Sequence, residues 1–342
     1  MDPVVFHVPL YILKKRVSKV PLPLLLILLS GSILCLSSCK KDRDQLPFEE
    51  IRIGTGHDLK GIHKDQSGRL FVSGGDDSRG VIYYSSDSGR TWKLRTQTFD
   101  KSINDIWIES DDSGFSIDKD VLIYSTKNAG SSWSQYFPDS WPLSVNRNLR
   151  DIIRSDSSTM VICGGKDFGN GLIYVSHDNG DTWEYSEYTH ELRGVSLKPG
   201  GHGLAVGYGA VLMTVNNGDD WTIIDSPSEY FTGITGGMNG QYFLCGFNGG
   251  LYITLDDGSS FRNLKKNNKL FSSRDRFTCI SARNNIIIAC GENGLAGVSS
   301  DNGDSWNFYE SFNNGDVNDV VIITSQLAVA AGDDGKIYRL RI

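Results

Sequence analysis

The eight residues Ser176 to Trp183, SHDNGDTW, constrain this chain more than any other stretch, because the chain writes them repeatedly. Ser85 to Trp92 reads SSDSGRTW and Ser299 to Trp306 reads SSDNGDSW. Looser copies are STKNAGSSW (Ser125 to Trp133), TVNNGDDW (Thr214 to Trp221) and TLDDGSSF (Thr254 to Phe261). Their final aromatics stand at 92, 133, 183, 221, 261 and 306, in steps of 41, 50, 38, 40 and 45 residues. A period in that range points to a solenoid or a propeller. The octet has a local physical logic. Its Gly takes a positive φ without a Cβ clash, and the Asp or Asn two residues earlier accepts hydrogen bonds from the turn's own N–H groups. The aromatic opens the next strand and packs inward. Asp87, Gly89 and Trp92, Asp178, Gly180 and Trp183, and Asp301, Gly303 and Trp306 therefore read as structural hairpin fasteners. The alternative is a ring of catalytic or metal-binding acids. No copy has the ligand spacing of a calcium loop, and the acids recur where a turn needs them.

Around the octets the rest of each unit falls into place. An apolar-x-x-apolar strand opens it, seven times: at Leu59, Ile103, Leu149, Leu192, Phe231, Phe277 and Val317. A second strand ends in Gly (LFVSGG, MVICGG, LAVGYG, FLCGFNG), and a third carries Ile-Tyr or a relative (VIYYS, LIYVS, LYITL). The octet follows, then a fourth strand. Four short strands with turn signals between them describe an antiparallel blade. The seventh unit reaches Ile342 after its third strand, whereas Phe48 to Ile53 (FEEIRI) reads as a fourth strand with no unit of its own. The expectation is an all-β, seven-bladed β-propeller over residues 48–342, its last blade completed by the N-terminal strand. Such closure removes an open edge.

The first 38 residues read differently. Lys14, Lys15, Arg16 and Lys19 flank an apolar run, VPLPLLLILLSGSILCL, which ends in Leu36-Ser37-Ser38-Cys39. A basic flank, an apolar stretch and small residues before a break have the layout of a secretory signal. The run's end looks like a lipobox, so residues 1–38 are expected to be a lipoprotein signal peptide, Cys39 the acylated residue and residues 39–47 a tether. An uncleaved anchor helix is the alternative, since the run is nearly long enough to span a bilayer. The CKKDRD start resembles surface-lipoprotein leaders of the Bacteroidetes type. The expected location is the outer membrane, on its periplasmic side or at the cell surface. Residues 39–342 hold 30 basic and 40 acidic side chains, a net of −10, which argues against a sequence-independent grip on nucleic acid.

The octets resemble Asp-box repeats, also called bacterial neuraminidase repeats. Leu192-Arg193-Gly194-Val195, Leu204 to Gly207, Val211 to Thr214, Asn217-Gly218 and Trp221 are together similar to repeats of the photosystem II stability/assembly factor propellers. That resemblance covers Phe48 to Ile342 and implies a seven-bladed propeller that binds partners and catalyses nothing; the propeller is expected to be monomeric. Sialidases share the octets but also need an arginine cluster, a Tyr nucleophile with its Glu, and an acid Asp. Their Arg-Ile-Pro segment is absent here. Xyloglucanases with such repeats face two propellers across a cleft. A glycoside hydrolase or lectin remains the alternative to a binding scaffold. The 6 His are scattered, there is no His-Glu-x-x-His or Cys-x-x-Cys, and no Gly-rich stretch has phosphate-loop spacing. No catalytic residue, metal or cofactor is expected.

The partner, a protein or glycan, is expected on the face where the first strands begin. The second residue of each is Lys60, Asn104, Arg150, Arg193, Thr232, Thr278 or Asn318, and these should ring the channel mouth. Beside them come two long loops, 137–148 with Trp141 and 264–276 with Lys265, Lys266, Lys269, Arg274 and Arg276. Trp and Arg are the commonest interface anchors, so Trp141, Arg150 and Arg193, with Lys60, Arg274 and Arg276, are the candidate contacts. The plain alternative is solvated surface. Finally, a two-residue turn at Asn284-Asn285 sets Cys279 opposite Cys290, within reach of a disulfide. Against the bond, Cys163, Cys245 and Cys290 each precede a strand-end glycine, the place of a small core residue, which suits buried thiols.

Overall fold

The computed structural model describes residues 46–136, 148–155, 158–237, 240–264 and 276–342. They form seven four-stranded antiparallel sheets, six of them hydrogen-bonded in chain order from the first strand outward. Blades 1 to 6 span 58–99, 103–136, 148–188, 192–224, 231–263 and 277–310. Blade 7 takes its first three strands from 317–341, and Phe48–Arg52 supplies the fourth. Phe48 pairs with Leu340 and Arg52 with Lys336, so the strand 48–52 closes the ring with the last blade as expected. Glu49 and Arg339 reinforce the seam at 2.6 Å.

The core lies between the blades. Seven apolar clusters occur among the described residues, and each joins two consecutive blades. Ile117 and Ile123 of blade 2, for example, pack against Leu149, Ile152, Met160, Ile162 and Trp183 of blade 3. This accounts for the continuous apolar character of the second strands. Leu70–Gly75 and Tyr242–Gly246 are buried at every position because both sheet faces meet a neighbouring blade.

The octets are turns with their side chains turned back on themselves. Asp178 accepts the Thr182 N–H at 2.8 Å, the Thr182 hydroxyl at 2.6 Å and the Ser176 hydroxyl at 2.8 Å. The Ser176 oxygen accepts the Gly180 N–H, and Trp183 Nε1 donates to the Gly180 carbonyl at 3.0 Å. Asp87 and Asp301 repeat this pattern with Thr91 and Ser305. Partial burial raises the Asp87 pKa, but the Thr91 and Ser85 hydrogen bonds outweigh it and hold the carboxyl at about 2. The residue before the turn Gly is left-handed too: Ser88, Ala129, Asn179, Asn217, Asp257 and Asn302 all have φ between 51° and 64°. That second left-handed position explains the recurrent Asn and Asp there, since their short polar side chains tolerate it best. Asp178→Ala is expected to cost on the order of 1 kcal/mol, seen as a lowered thermal midpoint, with partner capture by the folded protein unchanged. Lost capture at an unchanged midpoint would make the octet a binding element.

Cys279 and Cys290 stand directly opposite each other, with Arg283 opposite Ile286 at the turn. Both are free thiols, as are Cys163 and Cys245, and all four are buried. Burial pushes the Cys245 thiol up to about 12 and raises Cys163 and Cys279 well above the usual range, so these thiols stay protonated and unreactive near neutral pH.

Candidate functional site: the channel mouth

Each first strand carries a β-bulge at its second residue, which re-aims that residue and the next toward the channel. The seven second residues accordingly line one cavity of about 720 Å³ at the end of the channel where the first strands begin. Four of them stitch the ring together. Asn104 Nδ2 donates to the Leu149 carbonyl at 2.7 Å, Thr232 to Phe277 at 2.8 Å, Thr278 to Val317, and Asn318 Nδ2 to Leu59 at 2.8 Å. Each bond runs from one blade to the first strand of the next.

Three third residues do the same with carboxyl groups. Asp105 accepts the Ile152 N–H at 3.0 Å, Asp151 that of Val195 at 2.8 Å and Asp319 that of Ile62 at 2.8 Å. Burial raises all three pKa values. Asp319 reaches about 7, and Asp105 is raised further by the charges of Asp151 and Asp319. Gly61 leaves room for this arrangement, because a Cβ there would meet Asp105 Oδ1 at 2.8 Å. Among the described residues, no group of three His, Cys, Asp or Glu is placed to hold a metal ion.

The other three second residues are the cations Lys60, Arg150 and Arg193. Lys60 Nζ is 3.1 Å from Asp58, its neighbour on the same strand. Arg150 and Arg193 share a single acid, Glu191, whose side chain is 3% exposed. Arg150 Nη2 donates to Glu191 Oε1 at 3.3 Å. Arg193 Nε lies 2.7 Å from the same oxygen but out of line for a hydrogen bond, and the buried Arg150 Nε has no acceptor. Burial, then the Arg193 charge, lowers the Arg150 pKa. Two guanidinium groups thus meet one carboxylate, and the pair is short of one anion.

Beside this pair stand four aromatic rings. Phe168, Tyr208 and Phe247 come from the turns between second and third strands of blades 3, 4 and 5, and Tyr230 from the entry to blade 5. The Phe168 and Tyr208 rings are 4.8 Å apart, Tyr208 and Tyr230 4.8 Å, and Tyr230 and Phe247 5.7 Å. Arg193 Nη2 donates to the Tyr230 hydroxyl at 2.7 Å. Arg276 lies over the Phe247 ring at 4.3 Å and pairs with Glu292 at 3.2 Å. Lys60, Arg150, Arg193 and Arg276 therefore stand at or beside the mouth. Trp141, Arg274 and Cys39 lie outside the described residues, as do Lys265, Lys266 and Lys269. Glu191 and the four aromatics were not singled out in the sequence. Tyr208 and Phe247 had a signal, an aromatic directly after a strand-end Gly, and Glu191 another, an acid directly before a first strand.

The fold and this mouth define a class, the seven-bladed β-propellers with a lined central channel. No known protein family and no curated protein sequence matches the chain. Solved structures with the same fold are numerous. The structure of YCF48 bound to D1 peptide superposes with a TM-score of 0.67 at 17% identity, covering 88% of this chain and 99% of that one. Virginiamycin B lyase from Staphylococcus aureus has a TM-score of 0.68 at 14% identity, covering 87% of this chain and 100% of that one. The GH74 enzyme of Niastella koreensis has 0.66 at 12% identity, covering 85% of this chain and 53% of that one. At such identities the likeness is one of fold, and these folds host binding proteins and enzymes alike.

Proposed function

We propose that this protein is a binding scaffold whose channel mouth grips a carboxylate-bearing segment of a protein partner between Arg150 and Arg193. One observation carries the reading: two partly buried guanidinium groups share one carboxylate, and a buried Arg150 Nε–H lacks an acceptor. Two partly buried cations with one counter-charge are costly, and a partner's carboxylate at the exposed side of the pair would supply the second. The propeller fold of YCF48, which binds D1 peptide, supports a peptide ligand on this architecture. The reading includes no catalysis, since the inward Asp105, Asp151 and Asp319 carboxyls are occupied by backbone N–H groups. Hydrolysis of aryl sialosides or glucans by the purified domain would establish the carbohydrate-active alternative instead. Arg150→Ala with Arg193→Ala is expected to lower stability, because Glu191 loses its counter-charges, and to abolish partner capture from native membranes by the protein that remains folded. Unchanged capture, with loss on altering the octet face, would put the site on the wrong side.

The second part of the proposal is a lipid on Cys39, which would hold the scaffold at a membrane with residues 39–47 as tether. The lipobox-like Leu36-Ser37-Ser38-Cys39 after an apolar run supports it. Labelled palmitate is expected to enter the protein and to be lost in Cys39→Ser. Label retained in that variant would remove the anchor.

A further inference from the structure

The aromatic rings at the mouth carry an inference beyond charge, and it rests on reading the mouth as the partner site. Phe168 is the central observation. It occupies a left-handed backbone position, φ 63°, directly after Asp167 at φ 58°. Two successive left-handed residues make a tight hairpin turn that favours Asn or Gly, and a bulky aromatic there is strained. The ring is not rewarded by burial, because Phe168 is 53% exposed. A residue that costs backbone strain and gains little packing points to a use outside the fold. Its neighbour Tyr208 is 43% exposed, and both belong to one aromatic group with Tyr230 and Phe247.

The rings are tied to the arginine pair through Glu191. Its Oε2 accepts the Phe168 N–H at 3.1 Å, while its Oε1 faces Arg150 and Arg193. One buried side chain thus fixes both the strained turn and the cations, and sets a fixed spacing between them. Tyr230 joins the two halves from the other side through its hydroxyl. The rings do not form a flat platform. Tyr208 and Tyr230 meet at 84°, and Phe168 and Tyr230 at 78°. A flat array suits the face of a sugar ring, whereas edge-to-face walls form a cup that suits an aromatic or bulky apolar side chain.

We propose that Phe168, Tyr208, Tyr230 and Phe247 form a specificity cup for an aromatic side chain adjacent to an acidic residue in the partner polypeptide. The arginine pair takes the carboxylate and the cup reads its neighbour. Phe168 is then a specificity residue whose removal relieves the fold while impairing recognition. This is the reverse of what a structural aromatic would show.

The test uses the full chain and two fluorescent, end-blocked probes, Gly-Asp-Trp-Asp-Gly and Gly-Asp-Ala-Asp-Gly. The wild type should bind the Trp probe about tenfold more tightly than the Ala probe, the scale of one aromatic anchor. In Phe168→Gly that preference should vanish, while the melting temperature rises by about 2 °C as the strained position gains a residue suited to it. Tyr208→Ala should also weaken the Trp probe selectively. Equal binding of both probes by the wild type, with loss of both in the Arg150→Ala, Arg193→Ala variant, would overturn the cup and keep the arginine reading. Binding of neither probe would overturn both. A lowered melting temperature with unchanged probe preference in Phe168→Gly would make the ring structural. Preferential binding of neutral glucan oligosaccharides, lost in Phe168→Gly, would assign the cup to a glycan and overturn the peptide proposal.

Discussion

Glu191→Ala is expected to cost about 3–5 kcal/mol of folding stability, the range for removing one partner of a buried ion pair. Three groups depend on this side chain: the Arg150 and Arg193 guanidinium groups and the Phe168 backbone N–H. Its loss leaves two like charges side by side with no counter-charge, and an N–H without its acceptor in a left-handed turn. Glu191→Gln should cost less, because one carbonyl oxygen can still accept the Phe168 N–H. Denaturant midpoints of the two variants check this. A loss below about 1 kcal/mol in Glu191→Ala would show that both arginines relax to water.

The second large effect is a fall in stability as pH rises from about 5 to 8. Asp319, with a pKa near 7, holds a proton in the folded state that it releases when unfolded, and burial shifts Asp105 and Asp151 in the same direction. Asp118, pushed up to about 6 by burial, adds to them. The folded state therefore binds more protons than the unfolded state across this interval, and stability declines with rising pH. A tenfold change in proton affinity on folding corresponds to roughly 1.4 kcal/mol, so Asp319 alone would contribute a few kcal/mol. His63 acts oppositely: burial lowers its pKa to about 4 despite its bond to the Ile108 carbonyl, which favours stability at higher pH up to about 6.5. Below about pH 4 the octet acids take over, since Asp87 and its counterparts lose their turn hydrogen bonds on protonation. Melting temperatures across pH 3 to 9 should thus peak in mild acid. Asp319→Asn should flatten the decline between about pH 4 and 7 by about one proton. A melting temperature that rises steadily to pH 8 would show that the channel carboxyls are ionised without cost.

The fold was legible because its signals are local and repeated. Octet spacing gives blade spacing, and the unpaired FEEIRI stretch has a vacant place waiting in the last blade. The ring of second residues was legible too, since a fixed position in a repeated strand maps to a fixed position around an axis. What each one does was not. Asn104, Thr232, Thr278 and Asn318 bond to backbone carbonyls of the following blade, and those partners are 39 or more residues away in sequence or across the ring closure. The same holds for Asp105, which looks like any polar residue until its burial is known. Phe168 escaped because turn positions favour Gly and Asn, so nothing in KDFGN signals that a bulky ring is held left-handed there. A rule of turn chemistry was broken at that residue, and it is such breaks that distinguish a site from its scaffold.

The seam between Phe48–Arg52 and the last strand has a temporal meaning. Phe48 leaves the ribosome early, whereas its partner Leu340 is made nearly 300 residues later. Pairs this remote in sequence form slowly, because a very long loop must close first. Until they meet, the growing chain is an arc with two unpaired edges, and neither edge can be covered by the blades already folded. The ring can lock only when its last strand has been made and has joined its first, so maturity of the whole propeller is written into one short pairing.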